Sequence, residues 1–280
     1  MRHGQSARRA LIGGWLAISA ALAAPALAQE GGSSASARQA ASPGPVAPTA
    51  SVADVVRRGQ ERLDRGDWNG TLLILKTGLP AGENDPALQS ALARAYSEIG
   101  EDAPEGSDAQ RSIFQQALDH AQKELALAPN SAQAHLDVAI TTGKMARVSS
   151  ARTKLKLAPV VADEARKTIA IDPNSWRAYH VLGVWNREIA TLGGFKKFGA
   201  SLMGGLPKAS LEDAITNLET ARRLAPSSIR NHLELARTYE KAHRVDDARG
   251  EYQQVLSLPP AEPGDGKLQR EARAELAELS

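Results

Sequence analysis

The residues best suited to bind something are five arginines, Arg94, Arg177, Arg187, Arg230 and Arg237, with His180 among them. A guanidinium is a planar fork of donors that pairs with a carboxylate or a phosphate. Leu136, Ile140, Val184 and Leu233, spaced between them, could hold an apolar body. Two readings are open: an anion-binding surface, or arginines neutralised by Glu188, Glu234 and Glu240 as ordinary helix-surface pairs. A second cluster, Phe195, Lys196, Lys197, Phe198, Leu202 and Met203, sits in a glycine-flanked stretch over 191–209. It reads either as a basic amphipathic cover for a groove or membrane surface, or as aromatic packing on a neighbouring element. Catalytic chemistry is poorly served. The chain has no cysteine, so thiol catalysis and cysteine-type zinc sites are excluded. The histidines show no HExxH or other metal-ligand spacing, and no GxxxxGK[ST] or GxGxxG occurs. The expectation is a protein that is not an enzyme, with no metal and no cofactor.

What must position the arginines is a repeat. Four strings close helical runs: Leu127-Ala128-Pro129-Asn130, Ile171-Asp172-Pro173-Asn174, Leu224-Ala225-Pro226-Ser227 and Leu258-Pro259-Pro260. Proline stops a helix, and the Asn or Ser residues that follow can cap the next. From Pro226 to Pro260 the interval is 34 residues, the tetratricopeptide period. Small residues fall where two helices of a unit must approach: Gly59, Ala93, Ala139, Gly183 and Ala236. The expectation is an all-α, right-handed tetratricopeptide-type solenoid over 52–280. Its units are 52–85, 86–131, 132–175, 176–228 and 229–262, with a cap over 263–280. First helices begin near Val52, Pro86, Ala132, Trp176 and Ile229. Leu182, Gly183, Ala214, Leu218, Leu235, Ala236, Tyr239, Ala248 and Tyr252 are expected to be buried. In this geometry positions 2, 5, 9 and 12 of each first helix face inward, which is where the five arginines and His180 fall.

The start of the chain carries a different signal. Arg2, Arg8 and Arg9 precede an apolar run from Ala10 to Ala24, and Ala26-Leu27-Ala28 supplies small residues before Gln29. That order is a cleavable export signal over 1–28, cut near Ala28/Gln29, and the run is short for a membrane span. Whether Arg8-Arg9 belong to a general or a twin-arginine signal stays open. Residues 29–51 are rich in Ser, Ala, Gly and Pro and read as a flexible tether. The whole chain has 34 basic and 32 acidic residues; removing three leader arginines and no acids leaves 31 against 32, net −1. Nucleic acid as a partner thereby loses its electrostatic support. The expected location is the periplasm or the exterior.

Within the repeat, Ala178-Tyr179-His180-Val181-Leu182-Gly183 with Trp185, and Gly205-Leu206-Pro207-Lys208-Ala209-Ser210, are more specific. Together with Leu233-Glu234-Leu235-Ala236-Arg237-Thr238-Tyr239 and Leu256-Ser257-Leu258-Pro259 they resemble the regulator of microtubule dynamics family. Asn186 departs from the His or Tyr that often follows the tryptophan there. The resemblance implies a helical solenoid used for docking, with no catalytic residues. In eukaryotic relatives it implies microtubule association and phospholipid handling; an exported bacterial member would meet no microtubule. Two functions are therefore carried: a non-catalytic scaffold for a protein partner in the bacterial envelope, and a binder of an anionic lipid or other amphiphile covered by 191–209.

Overall fold

The computed structural model describes residues 50–192 and 208–279, and these form eleven α-helices. They are α1 (Val52–Leu63), α2 (Trp68–Gly82), α3 (Pro86–Asp102), α4 (Asp108–Leu127), α5 (Ala132–Arg147), α6 (Ala151–Ile171) and α7 (Trp176–Ala190). After the insertion come α8 (Leu211–Leu224), α9 (Ile229–Lys241), α10 (Val245–Ser257) and α11 (Asp265–Glu278). The first helices of five pairs thus begin at Val52, Pro86, Ala132, Trp176 and Ile229, and α11 caps the array. The result is a right-handed all-α solenoid.

Local chemistry sets the helix starts. Ser51, Asp85, Ser107, Ser131, Ser150, Ser210 and Ser228 each accept the backbone N–H three residues on, satisfying one orphan donor per helix. Such a cap contributes about 1 kcal/mol. The longer second and third units spend their extra residues on longer helices: α4 has 20 residues and α6 has 21, against 13 for α10. In the fourth unit the extra residues fall between α7 and α8. Phe195, Lys196, Lys197, Phe198, Leu202 and Met203 lie outside the described residues, as do the leader and nearly all of the tether.

Packing follows the period. The eighth position of every first helix is small and buried: Gly59, Ala93, Ala139, Gly183 and Ala236. A second helix presses into the space this leaves, Leu75 over Gly59 and Leu218 over Gly183. Beyond the pair, large apolar side chains fill the gap to the next. One cluster joins Leu218, Leu233, Leu235, Tyr239, Tyr252 and Val255; another joins Ala139, Val161, Leu182 and Trp185. Trp185 also donates its Nε1–H to the Ala158 carbonyl at 2.7 Å, so its polar edge is satisfied in the core. All nine residues expected to be buried are buried.

Candidate functional site

Successive first helices lie side by side and are stitched by polar side chains at and beside the inward positions. Arg94 on α3 donates to Gln60 on α1 at 2.9 Å, and Ser90 on α3 donates to Asp137 on α5 at 2.6 Å. Lys144 on α5 reaches Glu101 on α3 at 3.0 Å. His180 Nδ1 on α7 meets Asn231 Oδ1 on α9 at 2.8 Å. Most of the polar groups that looked available for a ligand are therefore occupied by the next repeat.

The arginines divide accordingly. Arg187 is only 9% exposed; its Nη1 lies 2.7 Å from Glu234 Oε2 and its Nη2 3.2 Å from Glu188. Nη1 also faces the Glu234 carbonyl and Thr238 Oγ1. Arg237 sits among three carboxylates, Glu234, Glu271 and Glu275, at 2.6 to 2.9 Å. Burial alone would raise the Glu234 carboxyl, but the Arg187 and Arg237 guanidiniums overcome that and hold it down at about 2. Burial likewise opposes the charge on both arginines, and their carboxylate partners outweigh it, so both are raised. Burial drops His180 to about 4, with the neighbouring Glu234 opposing only in part. It is a neutral ring inside the solenoid. Of the acids weighed as neutralising partners, Glu188 and Glu234 take that role, whereas Glu240 accepts from the Tyr252 hydroxyl.

Arg177 and Arg230 differ. They occupy the same second position on α7 and α9. Arg230 is exposed, and neither residue forms an ion pair among the described residues. The Arg177 guanidinium carbon lies over the Trp176 ring, 5.1 Å from its centroid. Ile140 and Val184 are half-buried at the ninth positions of α5 and α7, and a Cβ added at Gly143 would meet nothing within 4 Å. The inner surface thus has an apolar, open centre with two accessible cations on one side.

The first-helix histidines fall into two kinds. His135 and His232 share the fourth position of α5 and α9. Each places Nδ1 2.5 Å from a second-helix carboxylate, Glu164 or Glu251, and Nε2 near the carbonyl of Pro129 or Pro226. His180 is one residue further along its helix and turns to the next repeat instead. Among the described residues no group of three or more His, Asp or Glu could hold a metal. Asn231, Glu271, Glu275, Glu124 and Asp137 were not among the expected site residues. The signal for Asp137 was present: a carboxylate within Leu136-Asp137-Val138-Ala139, where its neighbours on both sides are core residues.

Paired helices around small eighth-position residues and a cap define a tetratricopeptide-type scaffold, an architecture that generally mediates protein–protein contact. The model for Regulator of microtubule dynamics protein 1-3 matches residues 53–280, and the chain belongs to that family. Regulator of microtubule dynamics protein 3 of Bos taurus is 25% identical over 228 residues, which is 81% of this chain and 47% of that protein. Protein 1 of Bos taurus is 24% identical over 190 residues, 67% of this chain and 60% of the relative. The chain therefore spans about half the length of the curated relatives it matches. Among solved structures, TTC0263, a thermophilic TPR protein of Thermus thermophilus, superposes with a TM-score of 0.61 at 16% identity, covering 81% of this chain and all of that one. That likeness shows the fold.

Proposed function

We propose that the inner surface docks an extended segment of another protein, whose carboxylates are held by Arg177 and Arg230 while an apolar side chain rests on Ile140 and Val184. The observation that carries this reading is the contrast between arginines: Arg187 and Arg237 are consumed by carboxylates of the chain, and Arg177 and Arg230 are not. Adjacent packed helices are about 8–10 Å apart, so two carboxylates three residues apart in a polyproline II segment, on one face and about 9 Å apart along it, match the pair. In a library of short peptides the chain is expected to select those combining acidic and apolar residues. Arg177→Ala with Arg230→Ala is expected to weaken the selected peptide at least tenfold by fluorescence anisotropy, since a hydrogen bond to a charged group contributes about 1.5–3 kcal/mol. Unchanged binding in the double variant would remove the inner surface from consideration.

A second reading, an anionic lipid or similar amphiphile, draws support from Arg152, Lys154 and Lys156 on α6. They are exposed and without ion pairs among the described residues. No helix among those residues is long and apolar enough to cross a membrane. Cosedimentation with phosphatidylserine vesicles, absent with phosphatidylcholine alone, would favour lipid over peptide.

We also propose that the protein works in the bacterial envelope after export; the support is the basic, apolar, small-residue order of residues 1–28. Regulation of microtubule dynamics, which the relatives' names state, is no part of this reading. Protein recovered from an envelope fraction is expected to begin at Gln29 on N-terminal sequencing. Intact Met1 on cytosolic protein would overturn the proposal.

A further inference from the structure

We propose that the seam between the second and third repeats is a proton-operated joint, tightened by acid and loosened by base, in which Glu124 and Asp137 hold one proton between them. Glu124 on α4 and Asp137 on α5 are both buried at that seam, 3% and 4% exposed, beside the cluster that Ala121 and Leu125 of α4 form with Val138 of α5. Two carboxylates in one dry site cannot both be ionised without strong repulsion, so one of them keeps a proton.

The donors around the pair decide which. Asp137 Oδ2 accepts from the Ser90 hydroxyl at 2.6 Å, and Oδ1 accepts from Gln133 Nε2 at 2.8 Å. The Arg94 guanidinium on α3 also favours an anion at Asp137. Glu124 Oε2, by contrast, is buried and has no hydrogen-bond partner. The anion therefore belongs on Asp137 and the proton on Glu124, which can donate it across the seam. Other charged groups nearby are turned elsewhere. Arg94 is tied to Gln60 on α1. His120, one turn back on α4, meets Gln89 and stacks on Tyr96 of α3. Lys123 pairs with Glu83, and His135 on α5 pairs with Glu164 on α6. No cation among these is left over to stabilise a second anion.

Burial, and then the Asp137 charge, push Glu124 up to about 9 from an ordinary value of 4.5. Burial raises Asp137 as well, against the donors that face it. A group raised in the closed state makes closure take up a proton. Between about pH 4.5 and 9 the closed seam holds a proton that the open, hydrated seam has lost. Its closing constant therefore falls up to tenfold per pH unit across that window, and levels off outside it. Ser90, Gln133 and Arg94 are inward positions, so opening this seam alters the inner surface itself.

The test is hydrogen exchange of the full chain between pH 5.5 and 8.5, with protection factors of α4 and α5 amides referred to those of α10. The wild type is expected to lose roughly tenfold of relative protection per pH unit. Glu124→Gln, which retains a donor toward Asp137 but cannot ionise, is expected to give a flat profile. Should that variant fail to fold, infrared spectroscopy of the wild type decides alone. A protonated-carboxyl carbonyl band is expected at pH 7 and should vanish by pH 10. A flat wild-type profile, an unchanged slope in Glu124→Gln, or no protonated carboxyl at pH 7 would each overturn the proposal.

Discussion

Replacing Gly183 with valine is expected to lower the free energy of unfolding by about 2–3 kcal/mol, read as a shift of the denaturation midpoint at unchanged slope. A Cβ at this position would stand 2.6 Å from Leu218 Cγ and 3.1 Å from the Ala214 carbonyl oxygen. Leu218 is fully buried and cannot swing into solvent, and the carbonyl belongs to the backbone of α8. Relief therefore requires α7 and α8 to separate, which opens a gap along the whole pair. Valine adds two further methyls, and its χ1 is nearly fixed in a helix, so it has no rotamer with which to avoid them. Gly143→Ala supplies the control: it has open space, and the gain in helix propensity is up to about 1 kcal/mol. A Gly183→Val protein as stable as the wild type would mean that the two helices do not approach as described.

The same position explains why the fold was legible in the sequence. The small eighth residue, the stop–cap strings and the apolar rows are local features, each satisfied within one unit or between neighbours in order. Their register survives even where a unit is lengthened, because the added residues extend helices or fall between them. The site was less legible. Glu234 was in view only as a partner within its own helix, and its pairing with Arg187, 47 residues earlier, joins two repeats. The partners of Arg237, Glu271 and Glu275, lie 34 and 38 residues on, in the cap. Pairs of this kind run between units of unequal length, so no fixed spacing announces them. Arg177 and Arg230 differ from Arg187 and Arg237 in forming no ion pair with a neighbouring helix among the described residues, which a single unit cannot reveal. Glu124 was overlooked for a related reason: a lone acid on a helix normally reads as its solvated face, and only the neighbouring repeat makes it a buried one.

Removing the Glu234 carboxylate is expected to be the most damaging single change on the inner surface. Glu234→Leu should destabilise the chain by about 3–5 kcal/mol, because Arg187 then carries an uncompensated charge in a nearly dry site. Arg237 is cushioned by Glu271 and Glu275, whereas Arg187 is left with Glu188, whose side chain is 66% exposed. Adding Arg187→Met should restore much of the loss, since an apolar pair of similar size removes both the attraction and the desolvation cost. Equal stability of the single and double variants would show that the charge at Arg187 is not the problem. The pH dependence gives a second reading with a definite sign. Glu234 is held at about 2 in the folded chain against an ordinary 4.5, so its contribution is complete above pH 4.5 and is lost as pH falls toward 2. By linkage that loss amounts to roughly 3 kcal/mol in the wild type and should be missing from Glu234→Leu. This is the opposite of the response at Glu124, where acid strengthens closure. Lowering the pH from neutrality to about 4.5 is therefore expected to firm the seam between α4 and α5, and lowering it further toward 2 to weaken the one between α7 and α9. Hydrogen exchange resolved by helix would show the two trends crossing in one molecule, and a uniform acid response along the array would contradict both assignments of charge.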